Sequence, residues 1–130
     1  MTPQGGKAVS WYFKCVEDDA FELTYSVGGF AALVTALEVL EVCPEPLLGD
    51  VDDEVLIDAE ACSRVARRAL ALTEAEVAGV GAEAERQLAA MEAKYRLAHD
   101  PQRWDWMALL RDFGEFAEEC SANGGFYACP

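Results

Sequence analysis

Near the start of the chain, apolar and polar positions alternate in two places. Val9, Trp11, Phe13 and Cys15 are interleaved with Ser10, Tyr12 and Lys14; Phe21, Leu23, Tyr25 and Val27 are interleaved with Glu22, Thr24 and Ser26. A period of two in aromatic and β-branched residues predicts two half-buried strands. Glu17, Asp18 and Asp19 form the expected tip of an antiparallel β-hairpin, which Gly28 and Gly29 end. The first residues, 1–8, read as a loose leader.

The period then lengthens. From Phe30 to Cys43 nearly every position is apolar except Thr35, Glu38 and Glu41, which recur every third residue. That spacing predicts a central helix with a thin wet stripe, stopped by Pro44 and Pro46. Asp50 is placed to cap a second helix, with Asp52, Asp53 and Glu54 in the first turn, where the helix dipole favours anions. Val51, Val55, Cys62, Ala66, Ala69 and Leu70 would face the core, and Arg64, Arg67 and Arg68 the solvent.

Thr73-Glu-Ala-Glu76 is a capping box, in which hydroxyl and carboxylate each take up an orphan backbone N–H. The helix it opens carries Val77, Gly81, Ala84, Leu88, Met91, Tyr95 and Ala98 as a heptad-like seam. Running to His99, it would be about 39 Å long. Asp100-Pro101 supplies a stop and a new cap. Trp106, Leu110, Phe113, Ala117 and Cys120, widened by Met107, Leu109 and Phe116, stripe a last helix that Asn123-Gly124-Gly125 closes. Phe126–Cys129 is available as a third strand beside the hairpin. The expected fold is α+β and mostly helical, about four helices on a small N-terminal hairpin, in one domain over residues 1–130.

At 130 residues with 52% hydrophobic composition, the chain is long enough to bury a core without staples. Charge changes the picture more. Ten basic residues face 24 acidic ones, a net −14. Residues 1–60 hold thirteen acids and two lysines, and residues 61–130 hold eleven acids and eight bases. Such a field repels phosphate backbones, so direct nucleic-acid binding is not expected, whereas a basic protein partner would be steered toward the N-terminal half.

The five cysteines are irregularly spaced with no CxxC pair, and no apolar leader of the secretory kind is visible. Reduced thiols buried as small hydrophobes, in a cytoplasm, are therefore expected. No apolar run reaches membrane-spanning length. Arginine exceeds lysine seven to three, and alanine is abundant, a composition that points to a GC-rich bacterial source.

Specific chemistry is sparse. A calcium loop from Asp50 would need Gly and Glu where Val55 and Ala61 stand. An Asp-x-Asp phosphatase motif fails as well, because Pro46-Leu-Leu-Gly49 replaces the buried strand before it. Gly28-Gly29 lacks the further glycines or the Lys-Ser/Thr pair of a phosphate loop. His99 fits the last turn of a helix, where a cation suits the dipole. No local ligand pair supplies half a zinc site, and no metal or cofactor is expected. Glu38 and Glu41 suit a solvent stripe, and Trp104 and Trp106 suit packing, with one of them near the surface. The run Asn123-Gly-Gly-Phe126 is similar to a short phrase that introduces a sheet in one immunity-protein superfamily, too little to assign a family.

Three functions follow. The leading one is an acidic stand-alone protein-binding module of the immunity, inhibitor or antitoxin kind, neutralising a basic partner through Asp18, Asp19, Asp50, Asp52, Asp53 and Glu54. The second is a small-molecule pocket or minor enzyme among Cys62, Tyr95, His99 and the tryptophans. The third is an acidic secretion chaperone, for which a homodimer is expected.

Overall fold

The structure, a computed structural model, describes residues 10–18, 21–48, 53–95 and 104–130. The hairpin forms as expected: β1 (Ser10–Cys15) pairs antiparallel with β2 (Glu22–Ser26), in a register that sets Phe13 opposite Leu23. The Phe21 N–H donates to the Asp18 carbonyl at 3.0 Å, closing the tip.

Helix α1 (Val27–Val39) starts earlier than the pattern predicts. Gly28 and Gly29 lie inside its first turn instead of separating it from the hairpin, because Ser26 caps it and its Oγ accepts from the Gly29 N–H at 3.0 Å. It also ends before the prolines. Glu41 adopts the left-handed region (φ 63°), Glu41 N–H donates to the Glu38 carbonyl, and Val42 N–H to that of Leu37. This is a Schellman stop with glutamate at the position glycine usually fills. Thr35 is not on a wet stripe. It is 5% exposed, and its hydroxyl donates to the Ala31 carbonyl at 2.7 Å, which lets it sit inside the core.

The largest departure lies at residues 53–58. The second helix does not begin near Asp50, which is outside the described residues, and Asp53 and Glu54 are not in its first turn. Val55–Ile57 form a strand, β3, and helix α2 (Ala59–Leu70) follows, capped by Asp58, whose Oδ1 accepts from the Ala61 N–H at 2.8 Å. A β-branched pair flanking Leu56 pairs better with a neighbouring strand than it extends a helix. Arg64, Arg67 and Arg68 are exposed as predicted; Leu70, predicted for the core, is 39% exposed.

The capping box of α3 (Glu74–Tyr95) forms in full. Thr73 N–H donates to Glu76 Oε1 at 2.9 Å, and Glu76 N–H to Thr73 Oγ1 at 3.2 Å. These bonds hold the Glu76 carboxyl below its ordinary range. Thr73→Ala is expected to cost about 0.5–2 kcal/mol, read as a lower melting temperature. Because the folded pKa of Glu76 is depressed, its share of the box is fully present above the ordinary carboxyl range and lost as pH falls through that lowered value. The stability gap between the protein and Glu76→Gln should therefore close in acid; a gap independent of pH would count against the box. The α3 seam is buried at Val77, Gly81 and Ala84, half-buried at Leu88 and 44% exposed at Met91.

Helix α4 (Trp106–Ser121) is capped by Asp105, whose carboxylate accepts from the Ala108 N–H at 3.0 Å, and not by Asp100, which lies outside the described residues with Pro101 and His99. Gly124 and Gly125 take positive φ after it, as the turn reading required, and β4 (Phe126–Cys129) follows. β4 does more than edge the hairpin. It pairs antiparallel with β1 on one side and β3 on the other, giving a four-stranded sheet in the order β2-β1-β4-β3.

The helices pack on one face of this sheet. Phe13 sits at the centre, fully buried, its ring within 5.1–6.4 Å of Tyr25, Phe30, Phe113, Phe116 and Phe126. Trp11 stacks on Phe30 at 3.9 Å. α2 lies along α4, with Leu70 against Gly114, while α3 lies on α1 and presents Gly81 to the Trp106 ring.

Candidate functional site

Because side chains alternate across a strand, the residues opposite the aromatic core share the outer face of the sheet. Register places them in two rows. Glu22, Lys14, Tyr127 and Leu56 cross the sheet in one row; Thr24, Tyr12 and Cys129 form the next, with Glu54 at its β3 end. Tyr12 is 39% exposed and Leu56 49%, while Lys14, Tyr127 and Cys129 are half-buried. This face carries two tyrosines and a leucine, rimmed by carboxylates.

Hydrogen bonds hold parts of it in place. The Tyr12 hydroxyl donates to Glu22 Oε2 at 2.6 Å, and that bond raises the phenol pKa. The Cys129 thiol donates to Glu54 Oε1 at 3.4 Å. Burial first, then the Glu54 bond and charge, push this thiol above its ordinary value, so it stays protonated. Asp53 Oδ1 accepts from the Glu54 N–H at 2.8 Å, setting the approach to β3.

Of the acidic residues singled out from the sequence, the described ones stand at two separate places. Asp53 and Glu54 stand at the Cys129 end of β4. Asp18 lies beyond Cys15, at the Phe126 end, so more than about 10 Å of strand separates them. Asp19, Asp50 and Asp52 lie outside the described residues. The sheet instead adds Tyr12, Glu22, Leu56 and Tyr127 to Glu54. Tyr12 and Glu22 were already marked as wet positions by the alternation. Leu56 and Tyr127 were not separable, because their facing depends on β4 lying between β1 and β3.

The enzyme candidates are placed differently. Cys62 is fully buried, and burial pushes its thiol up to about 12. Cys15 and Cys120 are buried with it, and the three neighbour one another in the core. Among the described residues no group of three or more His, Cys, Asp or Glu side chains is arranged to hold a metal. Trp106 is a core residue whose indole N–H donates to Glu85 Oε2 at 2.7 Å; Trp104 is half-buried with its ring edge against Gly28. A cleft of about 50 Å³ between α2, α3 and α4, lined by Leu70, Val77, Met107 and Leu110 among others, is far below the roughly 300–1,000 Å³ of small-molecule sites. Among the described residues no helix is long and apolar enough to cross a membrane.

Comparison with known protein families, with curated proteins and with solved structures finds no match for this chain.

Proposed function

We propose that this chain is a protein-binding module that neutralises a basic protein partner, in the manner of an immunity protein, inhibitor or antitoxin, and that it docks through the outer face of its sheet. The observation that carries this reading is the outer sheet face, where Tyr127 and Leu56 lie in one row and Tyr12 in the next, with Lys14 between them and Glu22, Asp53 and Glu54 around them. Tyrosines are effective interface anchors, since they bury a large area at little conformational cost. The helices behind the sheet keep the face pre-organised. A net charge of −14 attracts a basic partner and accelerates encounter. The reading carries with it a cytoplasmic setting in a bacterium, in keeping with unpaired cysteines and an arginine- and alanine-rich composition.

The test begins with capture of a partner from the source cells at low and then high salt, followed by binding kinetics on the purified pair. Association should slow steeply with ionic strength while dissociation changes little. Leu56→Asp, on an exposed position, should weaken binding by about tenfold or more without moving the melting temperature. Glu22→Gln with Asp53→Asn and Glu54→Gln should slow association more than the same number of amides at Glu74, Glu115 and Glu118 on the helices. If Leu56→Asp binds normally and both amide sets act equally, the sheet face is not the docking surface.

A further inference from the structure

Resting on that docking reading, we infer that the outer face of the sheet is built to take an arginine side chain of the partner, in preference to a lysine. The place is the stretch of sheet surface around Cys129. Tyr12 stands opposite it on β1, Tyr127 two residues before it on the same strand and face, and Glu54 beyond it on the β3 side. A small residue is thus bordered by two aromatic rings and a carboxylate.

The acids here have capacity to spare. Glu54 accepts the Cys129 thiol through Oε1, and Asp53 accepts the Glu54 N–H through Oδ1. Among the described residues no donor reaches the other oxygen of either carboxylate. The tyrosine rings supply the second half of the site. Tyr12 is tied to Glu22 through its hydroxyl, which fixes where its ring stands. Lys14 is the one base on this face among the described residues, and it stands beside Tyr127 on the Glu22 side. Its charge is felt at the Cys129 thiol as well, so an incoming cation is favoured on the β3 side, beside Asp53 and Glu54.

This combination selects between the two cations. A guanidinium is planar and weakly hydrated; it stacks on a ring while its N–H groups bond a carboxylate in the same plane. An ammonium is a compact, strongly hydrated point charge and gains little from the rings. Carboxylates alone would distinguish them only through bidentate pairing, and the rings add a second ground for the preference.

The probes are two hexapeptides of alternating glycine and arginine, or glycine and lysine, titrated at low ionic strength and followed by backbone amide shifts and calorimetry. The arginine peptide should bind on the order of fivefold more tightly, with the largest shifts at Leu56, Tyr127 and Cys129. Tyr127→Leu, checked by its melt, should bring arginine down to the lysine level, and Glu54→Gln should weaken both peptides. Equal affinities with shifts on this face would overturn the arginine preference and leave the basic-partner reading standing. Shifts elsewhere on the molecule would overturn both. Free arginine binding as tightly as the arginine peptide would also overturn the inference, in favour of a small-molecule site.

Discussion

Gly125→Ala is expected to destabilise the protein by at least about 3 kcal/mol, a fall in melting temperature on the order of 10 °C. Gly125 has φ 96°, and a Cβ there would stand 2.1 Å from the Ile57 carbonyl oxygen and 3.1 Å from backbone atoms of Asp58. Those are backbone groups at the junction of β3 and the α2 cap, so no side-chain rotation relieves the overlap. Either β3 leaves β4 or the turn after α4 opens. Gly124→Ala is the control. Its φ is 84°, but the atoms nearest its Cβ would all belong to the flexible side chain of Glu17. That variant should cost about 1–2 kcal/mol, the strain of the left-handed region alone. Equal losses at the two positions would mean that the close contact with Ile57 is not what demands glycine.

Phe13→Ala should cost about 3–5 kcal/mol in denaturant titration, a large share of the 5–15 kcal/mol typical of a whole domain. Phe13 is fully buried, and its ring neighbours come from β2, α1, α4 and β4, so no single element can shift to fill the space. Phe13→Leu keeps much of the volume and should cost clearly less. A loss below about 1 kcal/mol for the alanine variant would show that the core collapses around the gap.

The sequence carries the elements whose signals are local. The hairpin alternation, the Thr73–Glu76 box and the stripe from Trp106 to Cys120 each lie within one segment, and each is found where the pattern puts it. The errors fall where two local signals compete. Val51, Val55 and Cys62 fit helical spacing, so a three-residue strand with a cap at Asp58 was hidden inside an apparent helix; the triplet Val55-Leu56-Ile57 before an aspartate was the overlooked mark. Ser26 outweighs the glycine pair after it, because a capped first turn tolerates glycine. Asp105 outweighs Asp100-Pro101 in the same way, directly before the apolar stripe. The candidate site was less legible than the fold. The chain order of the strands does not reveal that β4 enters between β1 and β3, and only that insertion brings Tyr127 and Cys129 beside Tyr12 and Glu54.

That same insertion has a kinetic consequence. The two central strands are residues 10–15 and 126–129, so the pairing that closes the core spans more than a hundred residues of chain. During synthesis the hairpin and α1 emerge early, yet the free edge of β1 must wait for β4 while Phe13 lacks its partners Phe113 and Phe126. Long-range closure of this kind slows folding, and an unpaired edge beside exposed aromatics is a template for association with other chains. Refolding should therefore be slow for a protein this rich in helix, and its yield should fall as protein concentration rises.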